Sequence, residues 1–231
     1  MYQITNAHLL TLVIIMASIM VTPIYIFATY VFSGASKIKG LITGIAFLLF
    51  GSLMFWVCLS NIPNEIGLLG QLIIPIAWLM PSIILLLKKN WFLSQRLSQR
   101  WLVGLQVFRA IGGVFLIEMY LGNIPGIFAY PAGIGDIAVA VIALAVLLGN
   151  IKEDRISAKA IFMVILLGVL DFLSAFFFGF FSFETPLQIF HPQIQNNVAA
   201  FPTGMIPLFL VPYAIFFHTL SALNYIKFDK N

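Results

Sequence analysis

Residues 128–148 read FAYPAGIGDIAVAVIALAVLL, and every one of them except Asp136 is apolar, aromatic or small. A helix rises 1.5 Å per residue, so about 20 such residues cross the ~30 Å hydrocarbon layer of a bilayer. The stretch reads as a membrane-crossing helix that carries a carboxylate where water is scarce. Working outward from it, the rest of the chain repeats the apolar pattern.

The 231 residues are 61% hydrophobic and 9% charged, whereas soluble domains average about 25% charged. No soluble fold of this length buries so much apolar surface, so the solvent must be lipid. Seven segments are long and apolar enough to span: roughly 7–32, 40–61, 66–87, 101–121, 126–149, 158–182 and 204–226. No segment is left over for a soluble domain. The expected fold is all-α: a polytopic integral membrane protein, one domain over 1–231, built as a bundle of seven transmembrane helices. The single cysteine, Cys58, allows neither an internal disulfide nor a cysteine metal site.

Lysine and arginine set the expected orientation. Lys37 and Lys39 fall between segments 1 and 2; Lys88, Lys89, Arg96 and Arg100 between 3 and 4; Lys152, Arg155 and Lys159 between 5 and 6; Lys227 and Lys230 in the tail. Eleven of the twelve basic residues thus share one side, while the other carries Glu65 and Glu184. The positive-inside rule then puts the N-terminus outside and the C-terminus in the cytoplasm, in a bacterial-type inner membrane. Six or eight helices would strand a basic loop or the tail on the wrong side. MYQITNAH has no basic n-region and positive charge follows the first apolar run, so that run reads as a retained helix rather than a cleaved signal.

Two connections exceed a minimal turn. NWFLSQRLSQR (90–100) has apolar residues at 91, 92, 93 and 97 among polar ones, which suits either a short amphipathic helix on the membrane surface or a solvated loop with an interfacial Trp91. Residues 183–203, with Pro186, Pro192 and Pro202, are long enough to cover an external opening. A faint echo relates Tyr130-Pro131-Ala132-Gly133 to Phe201-Pro202-Thr203-Gly204, each read as a helix start, as in transporters built from repeats.

The twelfth basic residue, Arg109, lies inside segment 4, and Asp136, Asp171 and His218 lie inside segments 5, 6 and 7. Ionisable groups at membrane depth are costly and turn toward a bundle interior. From the helix rise, Arg109 and His218 sit about 12 Å from the cytoplasmic ends of their helices, and Asp136 and Asp171 about 20 Å from that side. A long arginine side chain closes the difference, so Arg109, Asp136 and Asp171 are expected to cluster with His218 one layer below. Their faces carry small or polar residues: Ala132, Gly133, Ala140 and Ala143 around Asp136; Gly168, Ser174 and Ala175 around Asp171; Ala214, Ser221 and Ala222 around His218; Gln106 and Gly113 around Arg109. Small residues mark helix–helix contact in membranes. Glu118, nine residues beyond Arg109, faces the other way.

Several chemistries lack their residues. Every lysine is in a loop or the tail, which excludes a retinal Schiff base. His8, His191 and His218 are the only histidines and show no HExxH spacing for a metal or matched pair for haem. No GxSxG elbow, phosphate-binding glycine loop, arginine-repeat voltage sensor or nucleic-acid motif occurs. The sequence identifies no cofactor and leaves the oligomeric state open. The partners it implies are the lipid bilayer and a small solute or proton.

The leading expectation is a site that binds or transports a small solute, cation or proton, formed by Arg109, Asp136, Asp171, His218 and Gln106. Burial and the nearby guanidinium act in opposite senses on a carboxylate, so Asp136 or Asp171 is the expected proton- or cation-responsive group. In the second reading the protein is a receptor-like or accessory subunit and the charges only hold the bundle. An intramembrane enzyme using Asp and His218 is the third and least supported.

Overall fold

The computed structural model describes residues 9–149 and 156–229. Seven helices are long and apolar enough to cross a membrane: α1 (Leu9–Phe32), α2 (Lys37–Leu59), α3 (Gly67–Leu87), α4 (Gln99–Tyr120), α5 (Gly126–Gly149), α6 (Ala158–Phe180) and α7 (Ile206–Asp229). The ends read from sequence lie within three residues of these. Residues 7 and 8 of the first expected segment, with His8, and the basic residues Lys152, Arg155 and Lys230 lie outside the described residues.

Local chemistry explains how the helices begin, end and pair. After α1, Gly34 adopts φ 68°. Its N–H donates to Val31 O (3.0 Å) and that of Ala35 to Tyr30 O (2.9 Å), the paired bonds of a Schellman stop. The Ser157 hydroxyl accepts from Ala160 N–H (3.3 Å) and starts α6. Glycine lets α1 and α2 approach closely, since a Cβ at Gly44 would lie 3.0 Å from the Pro23 carbonyl oxygen.

α7 is the central helix, with 78% of its apolar window buried against 28% for α1 and α6. Phe209, Tyr213, Phe216 and Phe217 on α7 pack against one another and around Phe47 of α2, mostly edge to face. Outward-facing positions are apolar too: Leu69, Leu87, Ile76 and Phe162 are among many exposed hydrophobic side chains. An apolar exterior of this extent fits a hydrocarbon solvent.

The basic connections meet at one end of the bundle. Lys39 donates to the Trp91 carbonyl (2.8 Å), Lys227 to that of Leu93 (2.7 Å), and Arg96 pairs with Asp229 (2.7 Å). The segment 90–100 is not the expected surface helix. Before α4 begins at Gln99 only Lys89–Phe92 is helical, and Phe92, Leu93 and Leu97 are buried, because the apolar residues cover the end of the bundle instead of facing lipid headgroups. Asn224 fixes it there, accepting from Leu97 N–H (2.8 Å) and donating to Leu97 O (2.9 Å). At the other end, Asn196 donates to Ser182 Oγ (2.7 Å) and folds the α6–α7 connection back over α6. The echoed tetrapeptides differ in role: Pro131 lies inside α5, five residues past its start, whereas Pro202 precedes α7.

The first turn of α7 (Ile206–Leu210) is a π-helix, with Val211 N–H donating to Ile206 O. In that register the next donor would be residue 212, which is proline and has no N–H. The orphaned carbonyl of Pro207 is taken by the indole N–H of Trp78 on α3, at 2.7 Å. Trp78→Phe removes this donor from the buried Pro207 carbonyl and is expected to destabilise the fold by about 1–3 kcal/mol. Thermal unfolding of the purified variant beside wild type measures it, and an unchanged midpoint would show that water replaces the indole.

Candidate functional site

Arg109 lies in the middle of α4 on a 3₁₀ stretch, Leu105–Gly112, bracketed by Gly104 and Gly113. Glycine's weak helix preference lets the helix tighten there. At three residues per turn, positions i and i+3 line up. Gln106, Arg109 and Gly112 therefore form one row, and all three are buried.

The row meets α5, α6 and α7. Arg109 Nε donates to Asp136 Oδ1 of α5 at 2.7 Å. Its Nη2 donates to Asp171 Oδ2 of α6, and its Nη1 to the Gly168 carbonyl at 3.3 Å. The guanidinium carbon lies 3.8 Å from the Phe172 ring centroid, a cation–π contact. Arg109, Asp136 and Asp171 are 3%, 8% and 9% exposed, so the pairing is made away from bulk solvent.

Three glycines make the cluster possible. A Cβ at Gly112 would strike the carboxylate of Asp136, one at Gly135 that of Asp171, and one at Gly168 both His218 Nε2 and Arg109 Nη1. The small residues expected around the charges are therefore space for the charged groups as well as helix contact. Of the three, Gly112 and Gly135 were not singled out by sequence. Phe172 was also missed, although its place beside Asp171 was the available signal.

The remaining sequence-expected residues take other places. His218 is buried and lies against Gly168, one helical turn from Asp171 on α6 and near Arg109 Nη1. Its Nε2 has no hydrogen-bond partner among the described residues. Gln106 donates to Ala214 O (3.4 Å), tying α4 to α7, and its Oε1 is likewise unpartnered. Glu118 is apart from the cluster, accepting from Thr11 of α1 and from Asn123 Nδ2 (2.7 Å).

A cavity of about 40 Å³ reaches the carboxylates from the α6–α7 end. Asp136 and Asp171 line one end of it, and Phe183 and Val198 of the α6–α7 connection line the other. Its walls are aromatic, with Trp78, Phe115, Phe128, Phe172, Phe176 and Phe180. From Phe180 to Asp171 it runs about 13 Å along α6. Gln71 of α3, a polar residue that the sequence reading passed over, is also in the lining. A second space of about 10 Å³ adjoins Arg109 and Asp136 on the α7 side, beside Leu210 and Ala214. Arg109, His218 and Gln106 stand outside the lining of the larger cavity.

The chain belongs to a family described as a domain of unknown function (DUF8737), whose model matches residues 66–224. The match begins at α3 and takes in Gln71, Arg109, Asp136, Asp171 and His218. No curated protein and no solved structure matches the chain.

The glycine geometry makes a direct test. Gly135→Ala drives a methyl group into the Asp171 carboxylate and is expected to lower stability by about 1–3 kcal/mol. Gly149→Ala, where a Cβ meets nothing within 4 Å, is expected to leave the unfolding midpoint unchanged. Equal midpoints for the two variants would mean that Asp171 does not occupy the observed position.

Proposed function

We propose that this is a multi-pass inner-membrane protein that binds and moves a small cation or a proton at Asp136 and Asp171, with Arg109 as their fixed counter-ion. The charge balance carries the reading. Two buried carboxylates share one guanidinium beside a cavity, so the site is one positive charge short. Uncompensated charge away from water is costly, and a proton or a monovalent cation supplies what is missing. The size of the cavity favours a species no larger than a few waters. An uncharged organic solute of ordinary size has less support.

The orientation proposed is N-terminus outside and C-terminus cytoplasmic, supported by the basic residues at the end where the α1–α2 and α3–α4 connections meet the tail. The aromatic cavity then faces outward. The 3₁₀ stretch under Arg109 supports the same reading, since strained helical segments within a span are tolerated where they line a polar site.

A second reading has its own observation. Each nitrogen of Arg109 has a partner, and together they tie α4, α5 and α6. A receptor-like or accessory subunit would use the same network only to hold its helices. Reconstituted protein separates the two. Asp136→Asn and Asp171→Asn each keep the side-chain shape, and on the transport reading each is expected to cut cation- or proton-gradient-driven flux by about tenfold or more, the scale of one lost charge-assisted contact. Their unfolding midpoints should stay near that of wild type. Wild-type flux in both variants, or unfolding of both, would favour the structural reading.

A further inference from the structure

The walls of the aromatic cavity say more about which cation it takes. Its polar groups are Asp136 and Asp171 at one end and Gln71, near the start of α3, at the other. Gln71 is 3% exposed. Its amide nitrogen donates to Pro63 O at 2.7 Å, and its Oε1 has no partner. The other side-chain N–H in the lining belongs to Trp78 and is engaged by Pro207 O. Arg109 lies behind the carboxylates, outside the lining. The cavity thus offers acceptors at both ends, aromatic faces between them, and no free side-chain donor.

A donor-poor, acceptor-bearing, aromatic cavity with a net negative floor selects against anions and favours a cation that itself carries N–H groups. Aromatic faces attract cations, and a carboxylate pair accepts several charge-assisted hydrogen bonds. A bare alkali ion gains little from phenylalanine walls that supply no oxygen ligands. A cavity of about 40 Å³ admits only a few non-hydrogen atoms.

Resting on the cation reading above, we infer that the site takes ammonium or a short primary alkylammonium, its N–H groups on Asp136 and Asp171 and its carbon against the aromatic walls. Gln71 Oε1 is the acceptor the cation meets at the other end of the cavity from the carboxylates.

The test uses the full-length protein in detergent at fixed pH and ionic strength, with calorimetric titration of methylammonium, tetramethylammonium and sodium chlorides. Methylammonium is expected to bind at least about tenfold more tightly than either of the others, because only it donates hydrogen bonds to the carboxylates. Asp171→Asn should remove that binding. Gln71→Leu should slow methylammonium association, read by the fluorescence change of Trp78 at the cavity wall, while affinity at the carboxylates stays within about twofold. Tetramethylammonium or sodium binding as tightly as methylammonium, or no methylammonium binding to folded wild type, overturns the inference. If flux in liposomes still depends on Asp136 and Asp171 after such a result, the cation or proton reading stands and only the substrate class falls.

Discussion

The structure depends on holding one guanidinium between two carboxylates inside a bundle whose exterior is apolar. Each ion alone would be expelled from such a setting, and the attraction offsets desolvation only when geometry is good and the remaining hydrogen bonds are made. The surrounding backbone meets that demand. A 3₁₀ stretch aligns Arg109 with Gly112, and glycines at 112, 135 and 168 clear the volume the charged groups occupy. Phe172 covers the guanidinium face. The cluster therefore dictates the closeness of α4, α5 and α6 as much as it results from it.

The central position of α7 follows from a different economy of contacts. Lipid competes equally with a leucine for contact, so helices in a membrane associate through shape and interhelical hydrogen bonds. α7 supplies both. Its aromatic side chains interlock with α2, while Gln99, Gln106 and Trp78 donate to backbone carbonyls along its length, at Ser221, Ala214 and Pro207. The π-turn and Pro212 leave a carbonyl that only a neighbouring helix can satisfy, so the irregularity of α7 fastens it to α3.

Much of this was legible in the chain because the bilayer simplifies the physics. Length and hydropathy alone mark seven spans, and an ion such as Arg109 or Asp136 within a span has few places to turn but inward. Helical spacing was enough to bring Arg109, Asp136 and Asp171 together and to leave Glu118 aside. What was not legible depended on departures from the regular helix. An ideal rise puts His218 level with Arg109, but it does not reveal that Gly168 is what makes room for its ring beside Nη1. Residues 90–100 have amphipathic spacing, yet the open end of the bundle competes with the membrane surface for Phe92, Leu93 and Leu97 and wins. Gln71 was invisible because its importance lies in a missing partner, which is a property of three dimensions.

Stability and function make opposite demands on the same charges. A purely structural network is best when neutral, as with one arginine against one carboxylate, since the second carboxylate adds repulsion and desolvation without a further cation. Here the second carboxylate is present, and both line a cavity rather than closed packing. Unpartnered buried polar atoms stand nearby as well, Gln106 Oε1 and His218 Nε2 beside the cluster and Gln71 Oε1 farther along the cavity. Unsatisfied polar groups cost free energy and are retained where something else meets them part of the time. The imbalance of charge and the unpartnered acceptors are what the proposed binding of a hydrogen-bond-donating cation would resolve.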